Sequence, residues 1–303
     1  MNKIMLSIFV PSYNHSKYII ECLKALKSIP ISKEIILIDD CSKDESVKLI
    51  NEFILYEDLE KEIKFTKNSV NKGVKNSLNF FLSTAKGKYV FLMASDDVVL
   101  PEGIINVFNF MESDDKLMFV IANALNKFED NTLKNVYNYK HNDFFKLSEE
   151  KRYEEIFTNY PQPILSQSTL IRMEALKTIR VWDAGLMLDD FEMFIKLFLR
   201  YPKYNQDFIF LQNVNIVLYR HHSNNSYRNI YRQFFMVKQV IDSLAPEELK
   251  TKAIIYNFNR YFLMSIKYRD FSFLVKSVRI VPLKIFLVSF LYLPKMIIKK
   301  VFS

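Results

Sequence analysis

The chain contains few cysteines and few glycines for its 303 residues. Its two cysteines, Cys22 and Cys41, cannot build a disulfide framework, and no cysteine or histidine pair stands at the spacing of zinc ligands. The four glycines are scattered, at Gly73, Gly87, Gly103 and Gly185. Because they form neither G-x-G-x-x-G nor a P-loop, the dinucleotide-binding and ATP-loop classes lose support. The low cysteine content fits a reducing cytoplasm.

The sequence also lacks a long hydrophobic run. The first ten residues hold one lysine and a short apolar stretch without the features of a signal peptide, so we interpret them as a first strand. Near the C-terminus, residues 285–294 (IFLVSFLYLP) are apolar. As a helix this run would be about 15 Å long, half of a hydrocarbon core of about 30 Å. Pro282 and Pro294 are expected to interrupt the helical pattern.

Positive charge is concentrated at the C-terminal end of the chain. The net charge is +8, and residues 271–303 carry no acidic residue but six basic ones, Lys276, Arg279, Lys284, Lys295, Lys299 and Lys300. Large apolar side chains alternate with them, which favours an anionic membrane surface over nucleic acid as partner. We therefore predict no nucleic-acid partner, and peripheral association with the inner face of the membrane through this tail. The alternative is a helix packed on the rest of the chain or on a second subunit, which leaves a homodimer open.

Short apolar runs alternate with helical patterns in the first third of the chain. Predicted strands cover residues 4–10, 35–38, 62–66 and 88–93, and predicted helices cover 17–28, a segment after Cys41, and 74–85. Asn14 and Ser16 are candidate caps of the first helix, and Ser42 with Glu45 matches a capping box for the second. Later come extended stretches at 116–125 and 132–139, a polar stretch to about residue 160, and a mainly helical region from 224. The pattern predicts an α/β fold.

Three polar clusters follow predicted strands: Pro11-Ser12-Tyr13-Asn14, Asp39-Asp40 and Ser95-Asp96-Asp97. Because ligands bind outside the carboxyl ends of the strands in such sheets, the clusters indicate a binding crevice. Adjacent carboxylates repel each other unless a positive group lies nearby, which favours a metal or a base-recognition role. For either acidic pair alone, a solvated turn or a helix cap is the alternative. A divalent ion held by Asp96 would screen nucleotide phosphates in the absence of a glycine cradle.

Six segments together resemble the family 2 glycosyltransferases with the GT-A fold. They are VPSYNHSKYI (10–19), IILIDDCSKDES (35–46), NKGVKNSLN (71–79), GKYVFLMASDDVVLPEG (87–103), LDDFEMFIKL (188–197) and YRHHSNNS (219–226). The resemblance spans roughly residues 4–226. It implies a nucleotide-diphospho-sugar transferase fold with a Rossmann-like mixed sheet in a catalytic domain at residues 1–223. A helical, basic C-terminal region at 224–303 follows, with its tail at about 271–303.

The resemblance also implies a nucleotide-sugar site. Its nucleoside pocket would contain Pro11, Tyr13, Asn14 and Asp40, with Asn71 and Gly73 near the base and ribose, although Asn71 is equally a turn former. Ser95, Asp96 and Asp97 match the acidic motif, in which Asp96 is the ligand of a divalent metal, Mn²⁺ or Mg²⁺. Ala94 replaces the motif's first aspartate, which weakens ribose contact. His222 matches a histidine near the metal and diphosphate, and Arg220 a phosphate-side residue; a surface loop is the alternative for both.

The general base implied by the resemblance is Asp190, which would deprotonate the acceptor hydroxyl and invert the configuration of the sugar. A carboxylate suits this role because an alcohol is a poor nucleophile. Asp189 and Asp190 alternatively cap the helix that follows them. The resemblance also implies acceptor contacts at Gln167, Ser168, Trp182, Asp183 and Asp189. A tryptophan can stack on the apolar face of a sugar, and a core position is the alternative for Trp182.

The sequence therefore predicts an inverting, metal-dependent hexosyl- or N-acetylhexosaminyltransferase. Its donor is a nucleotide sugar, expected to be a UDP-sugar, and its acceptor a glycan or lipid-linked glycan of bacterial surface-polysaccharide or lipooligosaccharide assembly. A nucleotidyltransferase is one alternative, although VPSYN lacks the glycine-rich and basic phosphate loop of that class. A catalytically silent glycan- or membrane-binding module of the same fold is another, and Ala94 motivates it.

Overall fold

The computed structural model describes residues 3–182, 186, 189–222 and 229–301. The strands are β1 (Leu6–Ser12), β2 (Lys33–Asp39), β3 (Ile63–Lys67), β4 (Tyr89–Leu92), β5 (Val98–Val99), β6 (Phe119–Lys127), β7 (Leu133–Asn135), β8 (Thr169–Arg172) and β9 (Phe208–Arg220). The helices before residue 201 are α1 (Ile19–Lys27), α2 (Ser46–Tyr56), α3 (Val74–Thr84), α4 (Pro101–Ser113), α5 (Tyr139–Phe145), α6 (Glu149–Thr158), α7 (Met173–Thr178) and α8 (Asp189–Arg200). Four helices follow: α9 (Ile230–Leu244), α10 (Glu247–Lys267), α11 (Ser272–Ser277) and α12 (Leu283–Val301). A 3-10 turn covers Ser166–Ser168.

The strands form one mixed sheet in the order β3-β2-β1-β4-β8-β6-β9-β5, with β7 paired to β6. β1 pairs in parallel with both β2 and β4, and β2 pairs in parallel with β3. β8 runs antiparallel to both of its neighbours. The predicted α/β alternation and the four predicted strands are confirmed. Because β1, β2 and β4 are parallel, the polar clusters that follow them lie at one edge of the sheet.

The predicted helix caps are wrong. α1 has Tyr18 and α2 has Glu45 at the N-cap position, and neither side chain makes a cap hydrogen bond. Ser42 instead donates to Asp39 Oδ2 at 2.5 Å and accepts from the backbone N of Asn14 at 2.8 Å. These hydrogen bonds hold the neighbouring loops together, so Ser42 is not available as a helix cap.

Residues 139–158 were expected to be a polar stretch, and the structure places two helices there. Asn138 caps α5 by accepting from the backbone N of Lys140, and Ser148 caps α6 by accepting from that of Lys151. Apart from the buried His141, Arg152 and Thr158, the polar residues lie on the outer faces. The apolar residues Phe144, Phe145, Ile156 and Phe157 are buried. A short apolar face packed on the sheet thus outweighs the polar composition of the segment.

The helical region after residue 224 is confirmed, and it packs on the remainder of the chain. Asn257 of α10 donates to the carbonyl of Phe157 in α6 at 3.3 Å. Phe258 packs against the rings of Phe234 and Phe273, at centroid distances of 5.9 and 5.8 Å. The predicted domain boundary at 223/224 lies outside the described residues and stays a prediction.

Helix α12 runs through Pro294, so the predicted interruption there is wrong, whereas Pro282 does precede the helix. Its first half is held by α10, since Phe286 packs against Phe258 at 5.2 Å and Asn259 donates to the Ser289 carbonyl at 2.9 Å. Such packing offsets the loss of one backbone hydrogen bond at proline. Within the described residues, no helix has the length and apolar content needed to cross a membrane.

Candidate active site

The carboxyl ends of β1, β2 and β4 border a cavity of about 480 Å³, the sheet-edge cavity. Five of the predicted nucleotide-sugar residues line it, Pro11, Tyr13, Asp40, Asn71 and Gly73. Ala94, Gln167, Asp190 and Arg232 also contribute to its wall. The volume lies in the range of small-molecule binding sites.

Asp40 holds one wall of this cavity in place. Its Oδ1 accepts from Asn68 Nδ2 at 3.0 Å and from the backbone N of Lys72 at 2.7 Å, and its Oδ2 accepts from the backbone N of Gly73 at 2.7 Å. Gly73 has φ of 79°, a conformation that glycine adopts without strain. A carboxylate has about four acceptor sites, so three bonds leave one on Oδ2 for a base. The predicted base contact of Asp40 stays a prediction, and one acceptor site is left for it.

Asn14 connects loops behind the cavity. It adopts φ of 56°, and its Oδ1 accepts from the backbone N of Lys43 at 2.8 Å. Its amide oxygen is thus committed to the β2–α2 loop. The predicted nucleoside contact of Asn14 stays a prediction, and the geometry supports an indirect role for it.

Beside the sheet-edge cavity, His15, Asp96 and His222 form a cluster of potential metal ligands. His222 Nε2 lies 2.9 Å from Asp96 Oδ2, and His15 Nε2 lies 3.7 Å from the same oxygen. One ligand atom of each residue lies within 4.8 Å of the other two. The residues come from three distant segments, the loops after β1, β4 and β9.

The two imidazoles are oriented by neighbouring groups. His15 Nδ1 is hydrogen-bonded to Ser95 Oγ at 2.7 Å, which directs Nε2 toward Asp96. Burial lowers the pKa of His15, with the Asp96 carboxylate acting in the opposite direction. The ring is therefore predominantly neutral at pH 7, as a metal ligand must be. Tyr18 stacks on His222 with ring centroids 4.8 Å apart.

This donor set fits a divalent ion. Ligand atoms at about 2.1 Å from one ion are no more than about 4.2 Å apart, so side-chain movements of well under 1 Å suffice. A hydrogen bond to the second ring nitrogen, such as that of Ser95 to His15, is typical of metal-ligating histidines. Two imidazoles and one carboxylate suit Mn²⁺ better than Mg²⁺, which prefers oxygen ligands.

Asp97 is hydrogen-bonded to groups outside this cluster. It is 1% exposed, and its Oδ1 accepts from the backbone N of Arg220 at 2.7 Å. Gln167 Nε2 lies 3.4 Å from Asp97 Oδ2. Burial, reinforced by the Asp96 charge, raises the pKa of Asp97 well above its ordinary value. Asp97 thus connects the metal-site loop to β9, and the predicted direct donor contact stays a prediction.

Arg220 belongs to the same group of side chains. Its guanidinium lies 4.8 Å from the Tyr18 ring centroid and pairs with Glu21 at 2.7 Å. Tyr18 is therefore packed between Arg220 and His222. A phosphate contact by Arg220 stays a prediction, and the geometry supports a role in positioning His222.

Asp190 lies in the first turn of α8 and borders two cavities. One is the sheet-edge cavity, and the other, of about 410 Å³, is the helix-side cavity between the sheet and helices α9 and α10. Leu165 and Tyr219 border both as well. Asp190 thus stands where a group bound in one cavity can meet a group bound in the other.

The predicted acceptor residues have different locations. Gln167 lines the sheet-edge cavity. Ser168 is fully buried with its hydroxyl 2.5 Å from that of Tyr137, and Trp182 is 2% exposed with its backbone N donating to Glu192. These two positions support packing roles. Asp183 and the side chain of Asp189 lie outside the described residues.

Sequence reasoning missed two residues of the site. His15 follows PSYN directly and falls at the same sheet edge as Asp96, but its partners are too far away in the sequence for ligand spacing to reveal them. Arg232, in the first turn of α9, lines the sheet-edge cavity. Only the packing of α9 against the site brings it there.

Comparison with known proteins identifies the family. The chain matches the family described as Glycosyl transferase family 2 over residues 7–179. An uncharacterized glycosyltransferase of Haemophilus influenzae is 26% identical over 263 residues, which cover 86% of this chain and 89% of the relative.

Two solved structures share the fold. Staphylococcus aureus TarS 1–349 in complex with UDP-GlcNAc has a TM-score of 0.58 at 20% identity, over 86% of this chain and 73% of that one. The mannosyltransferase PcManGT of Pyrobaculum calidifontis, in complex with GDP-Man and Mn²⁺, has a TM-score of 0.58 at 13% identity. The match covers 85% of this chain and 70% of that one. The expected GT-A fold is confirmed. The chain is an enzyme that belongs to glycosyltransferase family 2.

Proposed function

We propose that this glycosyltransferase moves a sugar from a UDP-sugar to a glycan hydroxyl with inversion of configuration. The position of Asp190 carries the proposal, because it borders both the sheet-edge cavity and the helix-side cavity. The nucleotide sugar would occupy the first and the acceptor the second. A general base between the two cavities can reach the acceptor hydroxyl that attacks the donor sugar.

The donor assignment rests on the lining of the sheet-edge cavity. Tyr13 is 44% exposed and offers a ring face to a base, and Asp40 keeps one acceptor site for a base N–H. A related fold binds UDP-GlcNAc, which supports UDP as the nucleotide.

The metal would be held by His15, Asp96 and His222, and Mn²⁺ fits this set best. When bound, the ion neutralises charge on the nucleotide diphosphate. The PcManGT structure contains Mn²⁺, in agreement with this choice. Arg232 adds a positive charge at the same cavity.

The transfer is a single displacement. The acceptor oxygen forms a bond to the anomeric carbon while the bond from that carbon to the diphosphate oxygen breaks. The acceptor proton passes to the Asp190 carboxylate, and the nucleoside diphosphate leaves. Attack from the face opposite the nucleotide inverts the configuration, so no covalent nucleophile is needed.

A catalytically silent module remains the second candidate, because Ala94 lines the cavity where the family motif has an aspartate. The His15–Asp96–His222 cluster and Asp190 argue against it, since the chain keeps a set of potential metal ligands and the carboxylate of the proposed base. Loss of one ribose contact is a smaller change than loss of the metal site.

Peripheral membrane association fits the exposed face of α12. Leu283, Leu287 and Leu291 are 66%, 59% and 75% exposed and recur at intervals of four residues. Exposed Lys276, Arg279 and Lys284 lie close to them in the chain. An apolar stripe with nearby cations suits an anionic lipid surface, and a lipid-linked glycan would be encountered there.

A panel of nucleotide sugars tests the proposal. UDP-sugars should raise the melting temperature in the presence of Mn²⁺, and one of them should be slowly hydrolysed without acceptor. ADP-sugars and chelator-treated samples serve as controls. The proposal fails if no nucleotide sugar stabilises or is consumed by the protein under either condition.

A further inference from the structure

The helix-side cavity contains a buried hydroxyl that has no hydrogen-bond partner among the described residues. Tyr160 is 4% exposed, and its hydroxyl oxygen is unpaired. Its ring packs on Phe191, the neighbour of Asp190, at a centroid distance of 4.8 Å. Burying a polar group without a partner is costly, so a buried hydroxyl that borders a cavity calls for a partner from a water molecule or a ligand there.

A positive charge faces the same cavity from the C-terminal helices. Arg260 of α10 is half-buried, and its Nη1 makes one long contact of 3.4 Å with the carbonyl of Tyr160. Within the described residues, no carboxylate lies within 4.0 Å of its guanidinium. Arginine carries five N–H donors in a planar fork that matches oxyanions.

Tyr160 and Arg260 lie at the junction of two cavities. Together with Gln162 and Met264 they line both the helix-side cavity and an adjoining one of about 640 Å³. A ligand that extends from Asp190 through this junction must pass the phenol and the guanidinium. Burial raises the pKa of Tyr160 well above its ordinary value, so the hydroxyl remains a donor.

We propose that the acceptor of this enzyme carries an anionic oxygen group, a phosphate or a carboxylate, which binds between Arg260 and the Tyr160 hydroxyl. The inference rests on the proposed function, since it places the acceptor hydroxyl at Asp190 in the same cavity. Arg260 and Tyr160 are then specificity residues for the acceptor. They make no contribution to donor binding.

Matched small probes test this assignment on the full chain. Glycerol, sn-glycerol 3-phosphate and glycerate differ in the charged group alone, and their affinities are measurable by calorimetry or ligand-observed NMR. Wild-type protein should bind one or both of the anions and should not bind glycerol. Preference for the phosphate or for the carboxylate identifies the source of the anion.

Variants then locate the binding. Arg260→Gln should weaken binding of the anionic probe on the order of 10- to 100-fold, and Tyr160→Phe on the order of 3- to 10-fold. Lys267→Gln is the matched control, because it removes one charge from an exposed position of the same helix and should change nothing. The inference is overturned if glycerol binds as well as the anions, if Arg260→Gln has no effect, or if Lys267→Gln has an equal one.

Donor binding separates this inference from the proposed function. Arg260→Gln and Tyr160→Phe should bind UDP with Mn²⁺ as the wild type does. Absence of nucleotide-sugar binding in the wild type contradicts the proposed function, whereas normal donor binding with an unselective acceptor cavity contradicts this inference alone.

Discussion

Two buried tyrosines should respond in opposite ways to loss of their hydroxyl groups. Tyr160 and Tyr137 are 4% and 5% exposed. The Tyr137 hydroxyl accepts from the backbone N of Leu165 at 2.8 Å and bonds with Ser168 Oγ at 2.5 Å, whereas that of Tyr160 has no partner among the described residues. Substitution by phenylalanine keeps the ring and changes the hydroxyl alone.

The magnitudes follow from the cost of burying an unpaired polar group, about 1–3 kcal/mol. Tyr160→Phe removes this cost and should raise the free energy of unfolding by up to that amount. Tyr137→Phe leaves the Leu165 N–H unpaired and should lower the free energy of unfolding by about 1–3 kcal/mol. The two variants should therefore differ by at least about 1 kcal/mol.

Urea unfolding followed by the fluorescence of Trp182, the only tryptophan, measures both variants. The dependence of unfolding free energy on urea should be unchanged, because the exposed surface hardly differs. Equal destabilisation by both substitutions would refute the reasoning, since it would show that the Tyr160 hydroxyl is paired.

An anionic ligand should reduce the amount by which the Tyr160→Phe variant exceeds the wild type in free energy of unfolding. A probe at 100 times its dissociation constant stabilises the wild type by about 2.7 kcal/mol. If the substitution weakens binding tenfold, the same concentration of probe stabilises the variant by about 1.4 kcal/mol. The gap in stability between the two proteins should shrink accordingly with sn-glycerol 3-phosphate or glycerate and stay constant with glycerol.

Four further predictions concern other residues. Asp96→Ala should abolish both transfer and the Mn²⁺ dependence of UDP binding in calorimetry; full activity of this variant in chelator would contradict the metal site. Asp190→Asn should lower turnover on the order of 10²- to 10⁴-fold with donor affinity nearly unchanged, and a matching loss of donor affinity would make Asp190 a donor residue. Burial lowers the pKa of His141 to about 4, so its stabilising contribution, up to about 3 kcal/mol, is present above pH 6.5 and is lost as the pH falls toward 4. Unfolding of His141→Gln should depend less on pH over that range, and parallel curves would exclude this role. Leu287→Glu should reduce co-sedimentation with anionic vesicles, whereas Leu55→Glu, at a similarly exposed position on α2, should not; equal behaviour of the two would contradict membrane docking by α12.

The sequence predicted the location of the proposed donor residues at one sheet edge, because that location follows from local strand patterns. Buried parallel strands leave continuous apolar runs, and β1 and β2 lie within two residues of their predicted bounds. Their parallel pairing brings Tyr13 and Asp40 to one edge without further information. Asp96 was likewise predicted as a metal ligand from its position after β4, and its cluster with His222 supports that prediction.

Features that depend on distant contacts were missed. His15 becomes a candidate ligand only when the loops after β1, β4 and β9 meet. The Ser42 cap was wrong because Asp39 competes for the same hydroxyl. Pro294 did not end α12, because the packing of α12 on α10 outweighs the tendency of proline to interrupt a helix.

Under the proposed function, the two cavities divide recognition of donor and acceptor between two parts of the chain. The sheet-edge cavity is built mainly by strand ends and their loops, and the helix-side cavity depends on α10 for Arg260, Tyr261 and Met264. Donor binding can therefore remain constant while changes in α10, which lines only the helix-side cavity of the two, alter acceptor choice. Helix α10 also holds α12, whose Phe286 packs on Phe258, so the surface proposed to meet lipid and the residue proposed to bind the acceptor anion lie on one packed unit. An acceptor presented at an anionic membrane would then reach Asp190 from the side on which its own charge is recognised.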